Sequence, residues 1–240
     1  GERENQRMID IHTHLLPGLD DGSSSLKESI WLGKALAEQG VTLVAATPHF
    51  NAAQQRPSQF LEYRDQAERY LWSKWPQEFP PFLVGAEVHY FDGMSHTEEL
   101  PLLTLESTNI LLLEMPFGPW SQRMVEEVLE IQTRRNLQVL LAHVERYQSF
   151  RQFGERLRQA GVWTQCNASF FLHWKTKSKA LKMLRKGEIQ MLGSDCHNKS
   201  TRPPRLQEAR EVIEKSLGTA VWREFNRQTF ALFKARCGKL

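Results

Sequence analysis

Short apolar runs rich in β-branched residues alternate along the chain with longer stretches whose apolar positions recur every three or four residues. The runs predict strands at Met8–Ile11, Val41–Ala46, Phe82–Ala86, Asn109–Leu113, Gln138–Ala142, Val162–Cys166 and Gln190–Gly193. The longer stretches predict helices with legible ends. Ser25-Leu26-Lys27-Glu28 has the form of a capping box, in which a serine and a glutamate satisfy free N–H groups of a first turn; the helix it opens stops at Gly40. A second runs from about Ser58 to Trp75 behind Pro57, with Phe60, Ala67 and Leu71 on one face. Ser121 caps a third through Arg135, with Met124, Val125, Val128 and Leu129 facing inward. Shorter helices end at Gly161 and Gly187, and two more fill the tail from Arg205. Strand alternating with helix is the pattern of βα units wound around a mostly parallel sheet. No repeat or linker-like tract divides it, so residues 8–240 are expected to form a single domain. Residues 1–7, polar and followed by Met8, read as a leader or an expression remnant and have no signal-peptide character.

The polar residues that end these strands carry the chemical information. The first run ends in His12-Thr13-His14, the second reaches His49, the third gives Glu87, the fourth Glu114, the fifth His143, and the last Asp195-Cys196-His197. In parallel βα folds the C-terminal strand ends converge on one mouth, where reactive groups gather. Residues two apart on a strand face the same side, so His12 and His14 reach one point, as do Asp195 and His197. Imidazole nitrogen and carboxylate oxygen are ligands of Zn²⁺, Mn²⁺ and Fe, and bridging carboxylates suit more than one ion. Asp20 and Asp21, in the loop Leu19-Asp20-Asp21-Gly22, add two carboxylates beside the first strand. Helix capping alone accounts for Asp21 or Glu87 taken singly, but not for His and Glu recurring around the mouth. His89, His96 and His173 read as packing or surface residues.

Composition narrows the setting. At 240 residues the chain has the length of one α/β barrel. Forty per cent of it is hydrophobic and 25% charged, as in an ordinary globular protein. Its net charge of +3 is too balanced to imply nucleic-acid binding. No apolar run approaches a membrane span. Three widely spaced cysteines, Cys166, Cys196 and Cys237, fit a reducing compartment, so a cytoplasmic location is expected.

With these residues the chain resembles the polymerase and histidinol phosphatase (PHP) superfamily, whose members carry an HxH pair, later His and Glu ligands and a final DxH. Within it, Met8-Ile9-Asp10-Ile11-His12-Thr13-His14, Asp20-Asp21-Gly22, Ala142-His143-Val144-Glu145-Arg146-Tyr147, Ser194-Asp195-Cys196-His197-Asn198 and Arg202-Pro203-Pro204 resemble bacterial manganese-dependent tyrosine-protein phosphatases of capsule and exopolysaccharide synthesis. The resemblance implies a distorted (β/α)7 barrel with outer helices and two or three divalent ions, manganese in the family, with Fe²⁺ or Zn²⁺ compatible with the same ligands. It implies one site of His12, His14, Glu87 and Asp195, a second sharing Glu87 and adding Glu114 and His143, and a third of Asp21, His49 and His197. Arg146 and Arg202 match the family's phosphate-binding arginines. The implied partner is a phosphotyrosyl protein, the tyrosine-rich tail of a bacterial tyrosine kinase, with no nucleic acid and no stable membrane insertion. The tail beyond about Leu217 matches the family only weakly, and no residue role is carried over there.

The chemistry is self-consistent. Clustered divalent cations generate hydroxide near neutral pH and clamp phosphoryl oxygens, and forked arginines add charge-assisted donors. A phenolate leaves with little protonation, which suits a site without an evident general acid. Phe117, Trp120, Phe170, Phe171 and Trp174 are candidates for an aromatic pocket or simply for packing. The basic stretch Lys175, Lys177, Lys179, Lys182, Arg185 and Lys186 is either a steering patch or a solvated helix face. Cys196 and Arg202 have the Cys-x5-Arg spacing of cysteine-dependent phosphatases, but no glycine lies between them and strand alternation turns Cys196 toward packing. The remaining alternatives are a small-molecule phosphomonoesterase of the histidinol-phosphatase kind, a phosphodiesterase, and a binding module without activity.

Overall fold

The computed structural model describes residues 6–239; of the expected leader, only Gln6 and Arg7 fall within that range. In chain order the strands are β1 (Met8–Thr13), β2 (Val41–Ala46), β3 (His49–Phe50), β4 (Phe82–Val84), β5 (Glu87–His89), β6 (Ile110–Glu114), β7 (Gln138–Leu141), β8 (Trp163–Asn167) and β9 (Met191–Gly193). All pair in parallel, in one sheet ordered β1-β2-β4 and another ordered β3-β5-β6-β7-β8-β9. The chain leaving β9 lies along the end of β1, where Asp195 N donates to His12 O at 2.7 Å and His14 N to Cys196 O at 2.9 Å. At the other seam Gly85 N donates to Ala46 O and Glu87 N to Pro48 O, both at 2.9 Å. The sheets thus curl into the distorted, helix-wrapped barrel that the resemblance implies, built on the mostly parallel sheet that the alternation predicts.

Two strand expectations need correction. The third run does not continue through Ala86: β4 stops at Val84 and a separate β5 begins at Glu87. The cause is a close crossing at Gly85, where a Cβ would stand 2.5 Å from Leu105 Cδ2 and 3.2 Å from its Cα. The second run likewise has a continuation, β3, carrying His49.

Strand alternation sorts the apolar residues into two layers. Leu111, Leu113, Val139 and Leu141 pack outward in the main core, beneath the helices. Ile110, Leu112, Leu140 and Ala142 turn the other way, clustering with Ile9, Ile11, Trp163 and Met191. Each such fully buried side chain stabilises the fold by about 1.5–3 kcal/mol.

The helices are α1 (Leu26–Glu38), α2 (Pro57–Lys74), α3 (Gln122–Arg134), α4 (Phe150–Gln159), α5 (Lys177–Arg185), α6 (Leu206–Leu217) and α7 (Thr219–Arg236). Ser25 caps α1 by accepting from Glu28 N at 3.2 Å, but Glu28 reaches back to Ser24 N rather than Ser25 N, so the capping box is displaced by one residue. Ser121 caps α3 as expected, accepting from Met124 N at 3.1 Å. The tail has a definite place: Phe233 of α7 joins the inner cluster and Phe230 packs against it, while Cys237 bridges to Thr108 just before β6. Helix α7 therefore covers the N-terminal ends of the strands and leaves the opposite mouth free. Among the described residues no helix is long and apolar enough to cross a membrane.

Candidate metal centre

The C-terminal ends of the strands bring the predicted polar residues together in a buried pit. His12, at the end of β1, and His14, just beyond it, turn their Nε2 atoms to within 3.3 Å of each other. Glu87 Oε1 from β5 lies 3.1 Å from each, and Asp195 Oδ1 lies 3.2 Å from His12 and 3.1 Å from His14. The five separations of 3.1–3.3 Å that link these four donor atoms suit a shared ion at bonds of about 2 Å, the length of a first-row metal–nitrogen or metal–oxygen bond. The second Glu87 oxygen, Oε2, lies 3.0 Å from His143 Nε2, which is also 2.8 Å from Glu114 Oε2. One carboxylate thus faces two donor sets. Asp21 Oδ1 lies 3.4 Å from His49 Nε2 and 3.3 Å from His197 Nε2, with the His14 ring tilted by 33° and centred 4.0 Å from that of His197.

Local structure holds these groups in place. Gly22 lets the Asp20–Gly22 loop fold onto His14, because a Cβ there would stand 2.6 Å from His14 O. His143 and Asp195 adopt left-handed backbone, at φ +32° and +52°. Such conformations are rare outside glycine and cost about 1–3 kcal/mol, so the surrounding hydrogen bonds must overdetermine them.

Charges in the pit are strongly coupled. Burial alone would push the His143 imidazole down, but hydrogen bonds to Glu114 and Glu87 and their negative charge raise it to about 10. His12 and His14 are also held above the ordinary histidine value, again against burial, by the carboxylates facing them. Glu87 and Asp195, which burial would raise, are lowered chiefly by those imidazoles. His197 goes the other way, to about 4, because it is buried and faces His14 and Arg202. The carboxylates therefore call for positive charge at the centre of the pit, which protons on histidine supply in the metal-free chain.

The donor set fits divalent cations. His12 Nδ1 meets Gln165 Oε1 at 2.9 Å, and His14 Nδ1 meets Asp20 Oδ2 at 2.8 Å. Those acceptors hold the proton on Nδ1, leaving each Nε2 lone pair pointing inward, as a metal-ligating histidine requires. His197 Nδ1 is occupied in the same way, at 2.7 Å from Asp195 O. Two inward lone pairs 3.3 Å apart repel unless a proton or a metal cation stands between them.

Arg146 and Arg202 stand at the rim. Arg202 donates to Asp195 Oδ2 at 2.8 Å and faces His197 Nε2 at 3.1 Å; Arg146 Nη2 lies 3.7 Å from the same Asp195 oxygen. Their partner is thus a carboxylate of the pit rather than a surface ion pair. Of the five aromatics, only Phe117 borders the pit, half exposed and stacked on His143 at 5.8 Å. Trp120, Phe170 and Phe171 are buried in the core, and Trp174 projects into solvent beside Lys175. Cys196 is fully buried in the core, where burial raises its thiol pKa, so the Cys-x5-Arg spacing makes no nucleophile.

Asp20, singled out with Asp21 as a carboxylate beside the first strand, orients His14 and also accepts from His49 N at 3.0 Å. Two other neighbours escape sequence reasoning. Gln165 serves His12 and accepts from His143 N at 2.8 Å, and Asn167 donates to Asp195 Oδ2 at 3.0 Å. Both lie on β8, the one predicted strand with no candidate ligand at its end; the i, i+2 spacing of two amides is the signal that could have pointed to them. His89, read as packing or surface, instead stands beside the pit, 3.1 Å from His49 Nδ1 and 3.2 Å from Glu114 Oε1. His96 and His173 are exposed and remote, as expected.

A parallel α/β barrel whose mouth is lined by contiguous His–carboxylate donor sets has the architecture of a metal-dependent enzyme barrel. The family of capsular polysaccharide synthesis proteins CpsB/CapC matches residues 8–229, and the chain belongs to that family. Relatives include tyrosine-protein phosphatase YwqE of Bacillus subtilis, 29% identical over 222 residues and covering 88% of this chain and 86% of that protein. Tyrosine-protein phosphatase CpsB of Streptococcus agalactiae serotype III is 28% identical over 229 residues, covering 88% and 91%. A solved structure from the pair YwqE of Bacillus subtilis and CpsB of Streptococcus pneumoniae, described as metal-dependent tyrosine phosphatases, superposes with a TM-score of 0.81 at 26% identity, covering 95% of each chain. The β-aspartyl dipeptidase of Fervidobacterium islandicum shares the fold alone, at TM-score 0.52 and 11% identity, over 94% of this chain and 74% of that one.

Proposed function

We propose that this chain is a metal-dependent protein-tyrosine phosphatase acting in capsule or exopolysaccharide synthesis. The observation that carries the reading is the Glu87 carboxylate, one oxygen against His12 and His14 and the other against His143, so that two donor sets share one bridge. In this reading His12, His14, Glu87 and Asp195 hold one ion, Glu87, Glu114 and His143 a second, and Asp21, His49 and His197 a third. The ions are Mn²⁺, with Fe²⁺ or Zn²⁺ able to occupy the same nitrogen and oxygen donors. When bound they activate a water near neutral pH and neutralise the phosphoryl oxygens.

The chain's own groups do the rest. Arg146 and Arg202 turn from Asp195 to the phosphoryl oxygens and stabilise the charge that develops in the transition state. Phe117 lies alongside the substrate ring, giving an aryl ester apolar contact that an alkyl phosphate lacks. The Asp20, Gln165 and Asn167 side chains keep the ligands aimed as charge moves. The protein partner is a phosphotyrosyl segment, such as the tyrosine-rich tail of a bacterial tyrosine kinase, met in the cytoplasm; three unpaired thiols agree with that compartment.

The test is hydrolysis of p-nitrophenyl phosphate, phosphotyrosyl and phosphoseryl peptides and histidinol phosphate, with chelator and Mn²⁺ add-back. Chelation and His143→Ala are expected to abolish turnover, Mn²⁺ to restore it to the chelated wild type, and phosphotyrosyl peptide to be preferred. Preference for histidinol phosphate would replace the protein substrate by a small molecule, and activity that survives chelation would remove the metals.

A further inference from the structure

Beside the mouth, a groove of about 690 Å³ runs between α4 and α5 down the outside of the barrel. We propose that it binds the acidic peptide segment flanking the phosphorylated residue of the substrate, a subsite that rests on the phosphatase reading above. Arg146 joins the two places: it lines the groove while its Nη2 lies 3.7 Å from Asp195 in the pit. A chain whose phosphorylated side chain enters the pit therefore has its next residues at the head of the groove.

The walls carry a small excess of positive charge. Arg151 and Arg158 come from α4 and Lys179 from α5, and none of the three forms an ion pair among the described residues. Arg158 Nε is buried and lacks any hydrogen-bond acceptor. A buried guanidinium N–H without a partner is costly, and a turn of the Arg158 side chain toward a carboxylate in the groove would relieve that cost. Three carboxylates also line the groove, so that with Arg146, Arg151, Arg158 and Lys179 its lining keeps an excess of one positive charge. Glu145 is turned inward, accepting from Asn167 N at 2.7 Å, and Glu155 accepts from Gln159. Between the cations the floor is apolar, made by Tyr147, Phe150 and Met183. Cations over an apolar floor suit a peptide that mixes acidic with apolar or aromatic residues. A nucleic acid would need exposed aromatic faces for its bases, and the tyrosine at the floor is buried. Lys179 thus leaves the solvated basic face of α5 and gains a role, whereas exposed Lys175 and Lys182 do not line the groove.

The experiment uses the full chain loaded with Mn²⁺ and two phosphotyrosyl peptides that differ only in three Asp/Glu against three Asn/Gln beside the phosphotyrosine. The acidic peptide is expected to have about fivefold higher kcat/KM at low salt, the size of a few screened charge pairs. The advantage should vanish near ~0.5 M NaCl, where screening shortens the reach of charge. In the double variant Arg151→Glu, Lys179→Glu the ratio should fall to about one while p-nitrophenyl phosphate turnover is unchanged. A second readout, fluorescence anisotropy of the unphosphorylated acidic peptide, reports on the groove even if the chain hydrolyses no aryl phosphate. Equal kcat/KM for both peptides in the wild type, an undiminished ratio in the double variant, or equal competition by an oligonucleotide of the same charge would each overturn the proposal. Loss of p-nitrophenyl phosphate turnover in the wild type would count against the phosphatase reading instead.

Discussion

Single side chains around the pit divide into those whose donor atoms face its centre and those that aim them. Asp20 belongs to the second group: its carboxylate accepts from the His14 ring, from His49 N and from Gly22 N, and these hydrogen bonds together with the His14 charge hold its pKa well below the usual carboxylate range despite burial. Asp20→Asn keeps the shape and removes the charge that fixes the His14 tautomer. We expect Mn²⁺ affinity to fall about 10–100-fold, measured by calorimetric titration, with the fold intact by circular dichroism; unchanged affinity would show Asp20 to be only a loop residue. The cysteines make a contrasting prediction. Burial raises the Cys166 and Cys196 thiols, whereas Cys237 is exposed near the C-terminus. Iodoacetamide should label Cys237 alone, by mass spectrometry of the native protein, and leave phosphatase activity untouched. Labelling of Cys196 with parallel loss of activity would restore the cysteine mechanism.

Among the elements, close approaches of backbone set where the ligands stand. The loop from Asp20 to Gly22 folds against His14, and a methyl group at Gly22 would also stand 2.9 Å from Asp20 Oδ1. Gly22→Ala is therefore expected to destabilise the protein by about 1–3 kcal/mol, the usual cost of overpacking. It should also lower metal content, read by elemental analysis of the purified protein. Ser25→Ala, which removes only the α1 cap, provides the control at a cost of about 1 kcal/mol with no change in metal. If the two variants behave alike, the Gly22 contact has no part in placing His14.

For the whole molecule the governing fact is a pit rich in negative charge. In the metal-free chain His143 keeps its proton up to about pH 10, because hydrogen bonding to Glu114 and Glu87 outweighs the burial that would lower its pKa. A ligand nitrogen must be deprotonated, so at neutral pH metal binding displaces that proton. Mn²⁺ affinity should accordingly rise with pH from about 6.5 toward 10, and titrations in buffers of different ionisation heat should show net proton release. Binding without proton release would mean that His143 stays outside the metal shell.

Much of this was legible along the chain. Hydrophobic period alone distinguishes strand from helix and makes the fold class plain, since a βα rhythm with buried strands admits few architectures. Residues that end strands are legible for the same reason: the parallel order sends every C-terminal end to one mouth, so His12, His14, Glu87, Glu114, His143 and Asp195 could be grouped before any distance was known. What the chain order could not decide were relations between residues far apart in sequence and close in space. Gly85 breaks a strand because Leu105 crosses it, Gln165 and Asn167 serve ligands on other strands, His89 lands beside Glu114, and α7 covers the barrel's floor. Periodicity records which way a side chain faces along its own strand. Which partner it then meets depends on sheet curvature and register, quantities that exist only once the chain has closed on itself.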